Sequence, residues 1–223
     1  MHIPDGFIDI KTSAAFAAAS AVAVAGAVKG TRRQLSEQSA PLAGLTAVFI
    51  FAVQMLNFPV AAGTSGHLIG AALAMVLVGP YAATLALVVV LIIQAFLFAD
   101  GGLTALGLSI FNMAVISVWV SFAVFILMKK IFPKTKSWLV IATFVSALIS
   151  VPAAAVGFVI QYAIGANATF SVGAVLNAMV GTHIIIGIGE AIITALTVSA
   201  VLASRSDLVF GWDKKNTTLE IRS

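Results

Sequence analysis

The chain has 223 residues, of which 61% are of hydrophobic type and only 9% are charged, with a formal net charge of +4. So few charges cannot cover a water-soluble surface, and the composition predicts an integral membrane protein. The chain contains no cysteine, which excludes disulfides, thiolate metal ligands and thiol nucleophiles.

A membrane crossing takes about 20 apolar residues, and seven apolar segments follow one another along the chain. We therefore predict an all-α integral membrane protein, a bundle of about seven transmembrane helices. The predicted helices cover residues 13–28, 42–58, 67–79, 81–98, 104–128, 138–163 and 173–203. They would form a single transmembrane domain over residues 1–205, followed at 206–223 by a short polar cytoplasmic tail.

Basic residues cluster after the first, fifth and seventh predicted helices, and an alternating path puts all three clusters on one side of the membrane. The positive-inside rule assigns that side to the cytoplasm. We therefore expect the N-terminus outside and the C-terminus inside. The clusters are Lys29, Arg32 and Arg33, then Lys129, Lys130, Lys134 and Lys136, then Arg205, Lys214, Lys215 and Arg222.

Small and helix-breaking residues separate the second and third predicted helices. They are Pro59, Gly63, Thr64, Ser65 and Gly66, and they predict a tight loop at membrane depth on the outer side. Irregular backbone is tolerated there only where it is buried in protein or lines a cavity. This loop is therefore the first place to look for a site.

The N-terminus begins Met-His-Ile-Pro-Asp-Gly and has neither the basic start nor the apolar core of a signal peptide, so we expect the mature chain to begin at Met1 or His2. A free α-amino group, the backbone nitrogen of residue 2 and Nδ1 of a histidine at position 2 can chelate one metal through fused rings. The three nitrogens lie in one plane, which suits Ni²⁺ or Cu²⁺.

A planar site needs a fourth donor, and His67 follows the external loop on the same side as the N-terminus. Pro4 and the Asp5-Gly6 pair favour a turn that would tuck the N-terminus into the bundle. Taken alone, a histidine at position 2 is usually part of a disordered tail, and His67 could simply hydrogen-bond the loop. Together they favour a metal site formed by Met1, His2 and His67.

His183 and Glu190 share one face of the last predicted helix, seven residues apart. Ionisable groups inside a membrane are functional candidates, yet we favour a hydrogen-bonded histidine and a glutamate that packs the bundle or contacts a partner. Direct ligation of the metal, or support of the metal site from behind the ligands, is the alternative for both. Further possible supporting residues behind the ligands are Ser65, Asn57 and Asn112, whereas Asp100 with Gly101-Gly102 is interpreted as an external turn.

Three stretches together resemble one known family. They read Met-His-Ile-Pro-Asp-Gly-Phe at 1–7, Gly-Thr-Ser-Gly-His at 63–67, and Gly-Thr-His at 181–183 followed by Ile-Gly-Ile-Gly-Glu-Ala at 186–191. They are similar to the CbiM/NikM family, the substrate-binding S components of energy-coupling factor (ECF) transporters for cobalt and nickel. The resemblance extends to about residue 203.

The resemblance implies a six-helix S-component core with one extra N-terminal helix, and Ni²⁺ or Co²⁺ held by Met1, His2 and His67. It also implies a prokaryotic cell membrane location. The implied partners are a transmembrane coupling (T) subunit, a pair of ABC-type ATPases and, in many systems, a small accessory membrane protein. We also expect contact with membrane lipid, and no nucleic acid partner.

The chain has no phosphate-binding Gly-x-x-x-x-Gly-Lys-[Ser/Thr] loop, so we expect a non-catalytic subunit rather than the ATP-hydrolysing motor. The alternative is an ion-coupled secondary metal transporter that works without ATPase partners. It would need intramembrane carboxylates, and only Glu190 qualifies. A zinc hydrolase is disfavoured because the stretch around His183 lacks the His-Glu-x-x-His pattern.

Overall fold

The structure is a computed structural model, and it describes residues 1–34, 40–60, 64–133 and 135–212. Several residues used above lie outside this part. They are Gly63, Lys134 and the end of the predicted tail from residue 213, with Lys214, Lys215 and Arg222.

Seven helices make up most of the described chain, which confirms the predicted all-α bundle. They are α1 (Ile10–Gln34), α2 (Ala40–Gln54), α3 (Ala71–Val78), α4 (Pro80–Leu97), α5 (Leu106–Ile131), α6 (Lys136–Gly165) and α7 (Val172–Ser204). Within α5 a π-helical segment, Phe111–Ile116, separates two α-helical stretches. By length and composition, α1, α4, α5, α6 and α7 can each span a membrane.

The third helix is much shorter than the predicted 67–79. α3 has only eight residues, about 12 Å of helix at 1.5 Å per residue, against roughly 30 Å of bilayer core. It ends at Gly79, whose φ of 81° breaks the chain direction before α4. It starts late because Gly70 has a φ of 77°, a left-handed conformation that glycine adopts readily. Residues 67–70 therefore remain non-helical, and His67 and Ile69 among them are buried.

The predicted loop between the second and third helices is a small hairpin. β1 (Phe58–Pro59) pairs antiparallel with β2 (Ser65–Gly66), and the N–H of Val60 donates to the carbonyl of Thr64 over 3.0 Å. These bonds satisfy backbone groups that membrane surroundings would leave unpaired. The hairpin leads directly into residues 67–70, the non-helical segment before α3.

The predicted boundary at residue 205 follows the end of α7 by one residue. Beyond it, Ser206–Leu208 forms a single 3-10 turn and Val209 is buried. The ammonium of Lys129 then donates to the carbonyl of Gly211. The first residues of the predicted tail thus pack against the end of the helix bundle.

α1 approaches the start of α5 closely because both helices carry small residues there. The hydroxyl of Ser20 donates to the carbonyl of Gly107 over 2.7 Å. A Cβ added to Gly107 would lie 2.5 Å from the Cα of Ala17, which is backbone and cannot rotate away. Small residues at such positions let two membrane helices pack tightly.

We expect Gly107→Ala to lower the unfolding free energy in detergent by about 1–3 kcal/mol, because the added methyl overpacks this contact. Gly26→Ala is the matched control, since a Cβ at that position in α1 would meet nothing within 4 Å. The control should be neutral or stabilising by up to about 1 kcal/mol through helix propensity. Denaturant titration of both variants checks this, and equal effects would contradict the proposed close contact.

Candidate metal centre

The first three residues of the chain lie inside the helix bundle. Met1 and Ile3 are fully buried, and His2 is 3% exposed. The N–H of Ile3 donates to the hydroxyl of Ser109 over 3.3 Å, and its carbonyl accepts a 2.8 Å bond from the N–H of Gly102. The predicted tucking of the N-terminus is therefore present in the structure.

A turn at residues 4–7 brings the chain into the bundle. The N–H of Phe7 donates to the carbonyl of Pro4, and Gly6 has a φ of 75°. The carboxylate of Asp5 accepts from the N–H of Leu103 (3.3 Å) and from both the N–H (2.8 Å) and the hydroxyl (2.5 Å) of Thr104. The bonds from Thr104 hold the pKa of Asp5 below its usual value. Asp5 thus ties the N-terminal segment to the loop before α5.

The other side of the same segment is fixed to the end of α6. The carbonyl of Phe7 accepts from the N–H of Asn167 (3.1 Å), and the N–H of Asp9 donates to the carbonyl of Gly165 (2.7 Å). The ring of Phe7 lies 5.0 Å from that of Tyr162, centre to centre. Asp9 then caps α1 by accepting from the N–H of Thr12 at 3.0 Å.

The imidazole rings of His2 and His67 meet at the buried N-terminus, with their centres 4.9 Å apart. Burial lowers the pKa of the Met1 amine to about 4. Burial also lowers the pKa of His2 and of His67 well below the usual value, and the neighbouring amine acts in the same direction. At neutral pH the three groups are therefore uncharged nitrogen donors.

The hydrogen bonds of two histidines select their tautomers. Nδ1 of His67 lies 2.8 Å from the carbonyl of Leu68, and Nδ1 of His183 lies 2.7 Å from the carbonyl of Met179. A carbonyl only accepts, so each Nδ1 carries the proton and each Nε2 carries a lone pair. Both Nε2 atoms are buried and have no hydrogen-bond partner among the described residues, which leaves each lone pair available to a ligand.

His2 is oriented by the loop before α5. Its Nε2 lies 3.5 Å from a carboxylate oxygen of Asp100 without forming a hydrogen bond. The nearby carboxylate favours the proton on Nε2 by charge attraction, which leaves Nδ1 to bind a metal. Asp100 also accepts a 3.2 Å bond from the side-chain amide of Asn57. A Cβ at Gly101 would lie 3.1 Å from Nδ1 of His2, so glycine leaves this nitrogen accessible.

Asp100 is the residue that sequence reasoning missed, because we interpreted it as an external turn. Ala99 before it has a φ of 52°, uncommon for a residue with a side chain, and Gly101 and Gly102 allow the close approach of residues 2–5. A carboxylate followed by two glycines was the available signal.

The remaining predicted supporting residues differ in their placement. Asn57 reaches His2 through Asp100, and Ser65 lines an open cleft of about 330 Å³ together with His2 and Asp5. Glu190 accepts bonds from the N–H groups of Ile69 (2.5 Å) and Gly70 (2.9 Å), so it holds the segment after His67.

Asn112, the last predicted supporting residue, bonds a neighbouring helix. Its side-chain amide donates to Gln161 of α6 over 2.7 Å, which joins two helices and not the site segments.

Among the described residues, no three His, Asp or Glu side chains are grouped so as to hold a metal ion. A metal at His2 and His67 must therefore take further donors from the main chain. The buried amine of Met1 and the backbone nitrogen of His2 are nitrogen donors that complete a four-coordinate set without any additional side chain. The arrangement supplies nitrogen donors of the kind that transition metals prefer.

The fold and this site define a helical membrane protein of the transition-metal transport class. Residues 2–208 match the family model CbiM, described as the cobalt uptake substrate-specific transmembrane region. The chain belongs to this family.

Relatives agree with that assignment. The chain is 39% identical over 212 residues to an inferred metal transport protein of Haloquadratum walsbyi, covering 94% of each. Over 127 residues it is 42% identical to the fused nickel transport protein NikMN of Rhodobacter capsulatus. This alignment covers 57% of this chain and 37% of that protein. A crystal structure described as a truncated transition metal transporter matches with a TM-score of 0.83 and 32% identity, covering 91% of this chain and 99% of that one.

We expect Asp5→Ala to release the N-terminal segment, because it removes three accepted hydrogen bonds of a carboxylate. Trimming of Met1 by an aminopeptidase, followed by mass spectrometry, should be about tenfold faster or more than in the wild type. Asp207→Ala, which removes an exposed carboxylate paired with Arg205, is the control and should trim at the wild-type rate. Equal protection of both variants would mean that Asp5 does not anchor the segment.

Proposed function

We propose that this chain captures Ni²⁺ or Co²⁺ with its own N-terminus and takes part in uptake of the metal. The donors are the amine of Met1, the backbone nitrogen and Nδ1 of His2, and Nε2 of His67. The observation that carries the proposal is the buried amine of Met1 beside two neutral imidazole rings. A buried, neutral α-amine next to histidines has no evident purpose in helix packing alone.

The chemistry of the donor set favours late first-row transition metals. Nitrogen ligands in a plane suit Ni²⁺, and Ca²⁺ or Mg²⁺ would require oxygen ligands. Asp100 lies behind His2, with a carboxylate oxygen 3.5 Å from its Nε2, and a carboxylate beside the non-ligating ring nitrogen is common for metal-binding histidines. The Rhodobacter capsulatus relative is named for nickel and the family model for cobalt, and we propose one of these two ions as the substrate.

The proposed role is that of the S component of an ECF transporter in a prokaryotic cell membrane, with the N-terminus outside. A T subunit and ABC-type ATPases would drive uptake, since the sequence contains no phosphate-binding loop of its own. The alternative of a self-sufficient, ion-coupled transporter is less well supported. Glu190 is the only carboxylate within the seven described helices, and its oxygens already accept hydrogen bonds from the N–H groups of Ile69 and Gly70.

The first experiment compares metal binding by three purified proteins: the wild type, a version with one extra residue before Met1, and His67→Ala. The extra residue moves the amine away from His2 and breaks the chelate, so we expect it to reduce Ni²⁺ and Co²⁺ affinity at least a hundredfold. His67→Ala should lose affinity by a smaller factor, because three donors remain. Isothermal titration calorimetry measures both, and the better-retained metal identifies the substrate.

Wild-type affinity in the extended protein, with its fold intact, would contradict the proposed chelate. For the transport role, cells that carry this gene alone should accumulate no metal beyond background. Cells that also carry a T subunit and its ATPases should accumulate it. Uptake by the chain alone would favour the self-sufficient transporter.

The number of protons released on binding provides a second prediction. The amine has a folded pKa of about 4 and both rings lie well below 6.5, so at pH 7 these donors carry no proton to displace. Only the backbone N–H of His2 should lose one, about one proton per metal. A free peptide of residues 1–7 should release about two, because its amine has a pKa near 8.

The number of protons released determines how steeply the metal affinity changes with pH. Proton competition at a donor begins only as the pH falls towards its pKa, so between pH 8 and 6 the protein should lose about tenfold in affinity per unit. The peptide should lose about a hundredfold per unit over part of this range. Calorimetry in buffers of different ionisation enthalpy counts the protons. Equal counts for protein and peptide would show that the amine is protonated, and not buried, before the metal binds.

A further inference from the structure

We propose that Gln54, Gln94 and Glu190 are positioning residues that set the placement of His67 relative to His2, through a continuous hydrogen-bonded bridge inside the helix bundle. The bridge runs from α7 through α2 and α4 to the loop before α5. This inference rests on the metal site proposed above and extends it to residues that do not touch the metal.

The first end of the bridge holds the segment that presents His67. This segment is not helical, so its backbone groups need partners from elsewhere. Glu190 accepts from the N–H groups of both Ile69 and Gly70, at 2.5 and 2.9 Å. Gln54 donates its side-chain amide to the carbonyl of Ile69 over 2.7 Å. Ile69 is thus fixed from both sides, two residues after His67.

The middle of the bridge is a pair of buried glutamines. The side-chain amide of Gln94 donates to the side-chain oxygen of Gln54 over 3.0 Å, and both residues are fully buried. The carbonyl of Ile69 can only accept, so Gln54 must turn its nitrogen to Ile69 and its oxygen to Gln94. One consistent assignment of donors and acceptors therefore connects α4 with the His67 segment.

The second end of the bridge reaches His2. The backbone carbonyl of Gln94 accepts from the N–H of Asp100 over 3.1 Å, at the point where α4 ends. Asp100 in turn lies 3.5 Å from Nε2 of His2. The same residue, Gln94, therefore supports the His67 segment with its side chain and the loop that orients His2 with its backbone.

These contacts differ from ordinary helix pairing. Buried polar side chains in membrane bundles commonly join one helix to another, as Asn112 and Gln161 do between α5 and α6. Gln54 and Glu190 instead bond backbone groups of a non-helical segment that carries a donor of the site. A shift of 1 Å there changes the fit of His67 to the metal, whereas the bond between Asn112 and Gln161 involves no segment that carries a proposed donor.

The test makes one substitution, glutamine to methionine, at three buried positions. Gln54→Met and Gln94→Met break the bridge, and Gln161→Met is the matched control, because it removes a bond of similar length away from the site. Methionine keeps the length of the side chain and removes its hydrogen bonds. Glu190→Gln is a fourth variant, which places an NH₂ group against one of the two N–H groups.

Affinity for Ni²⁺ is measured by calorimetry, and the visible and electron paramagnetic resonance spectra of bound Cu²⁺ report the number of nitrogen donors. We expect Gln54→Met, Gln94→Met and Glu190→Gln to weaken binding about 10- to 100-fold, the usual effect of residues behind a ligand. Their Cu²⁺ spectra should indicate one nitrogen fewer. Gln161→Met should keep the wild-type spectrum and bind within about twofold, even if its thermal stability falls.

If Gln54→Met does not yield folded protein, Gln94→Met decides, because it leaves the bond from Gln54 to Ile69 in place. The bridge is wrong if the bridge variants bind with wild-type affinity and spectrum, or if Gln161→Met loses as much as they do. The wild type and the version with one extra N-terminal residue are titrated alongside. A wild type that binds no metal overturns the proposed function itself, whereas normal wild-type binding with unaffected bridge variants overturns only the bridge.

Discussion

Burial of the α-amino group is the constraint on which the rest of this structure depends. An ammonium ion is very costly to bury in an apolar interior, so the group gives up its proton instead, and its pKa falls to about 4. A neutral amine is a ligand, whereas an ammonium is not. The same burial that makes the N-terminus expensive to insert therefore makes it able to bind a metal. The anchors along residues 3–9 offset that cost, through Asp5 on one side of the segment and Phe7 on the other.

The helices could be predicted because their signal is local. Composition and apolar length located six of the seven helices to within four residues at each end, and α1 extends six residues beyond its predicted end, into a polar flank. The third began four residues late, since Gly70 takes a left-handed conformation and the segment before it bonds to Glu190, 120 residues away. No local pattern shows such a partner. The hairpin over the site was missed for the same reason, as two-residue strands have no periodicity to detect.

The candidate site, like the fold, has residues that could be predicted from the sequence and residues that could not. The proposed donors Met1, His2 and His67 could be named from the sequence because chelate chemistry depends on position along the chain, and position 2 is visible in the sequence. The residues that hold these donors in place were harder to predict. Asp100 was interpreted as a turn, and Gln54 and Gln94 were not singled out, because each acts through a contact distant in sequence. Glu190 was expected mainly to pack the bundle, and its carboxylate holds the segment after His67.

Features that disfavour stability on their own are concentrated around the N-terminus. The Nε2 atoms of His67 and His183 are buried without partners, and Ala99 occupies a region of backbone space that few side chains tolerate. Natural proteins depart from local rules mainly at functional sites and offset the cost elsewhere. Here that cost is offset by the bridge formed by Gln54, Gln94 and Glu190, whose hydrogen bonds end on backbone groups beside the site. A metal bound at His67 would give its Nε2 a partner. Metal binding should therefore rigidify the same segments that the bridge already holds.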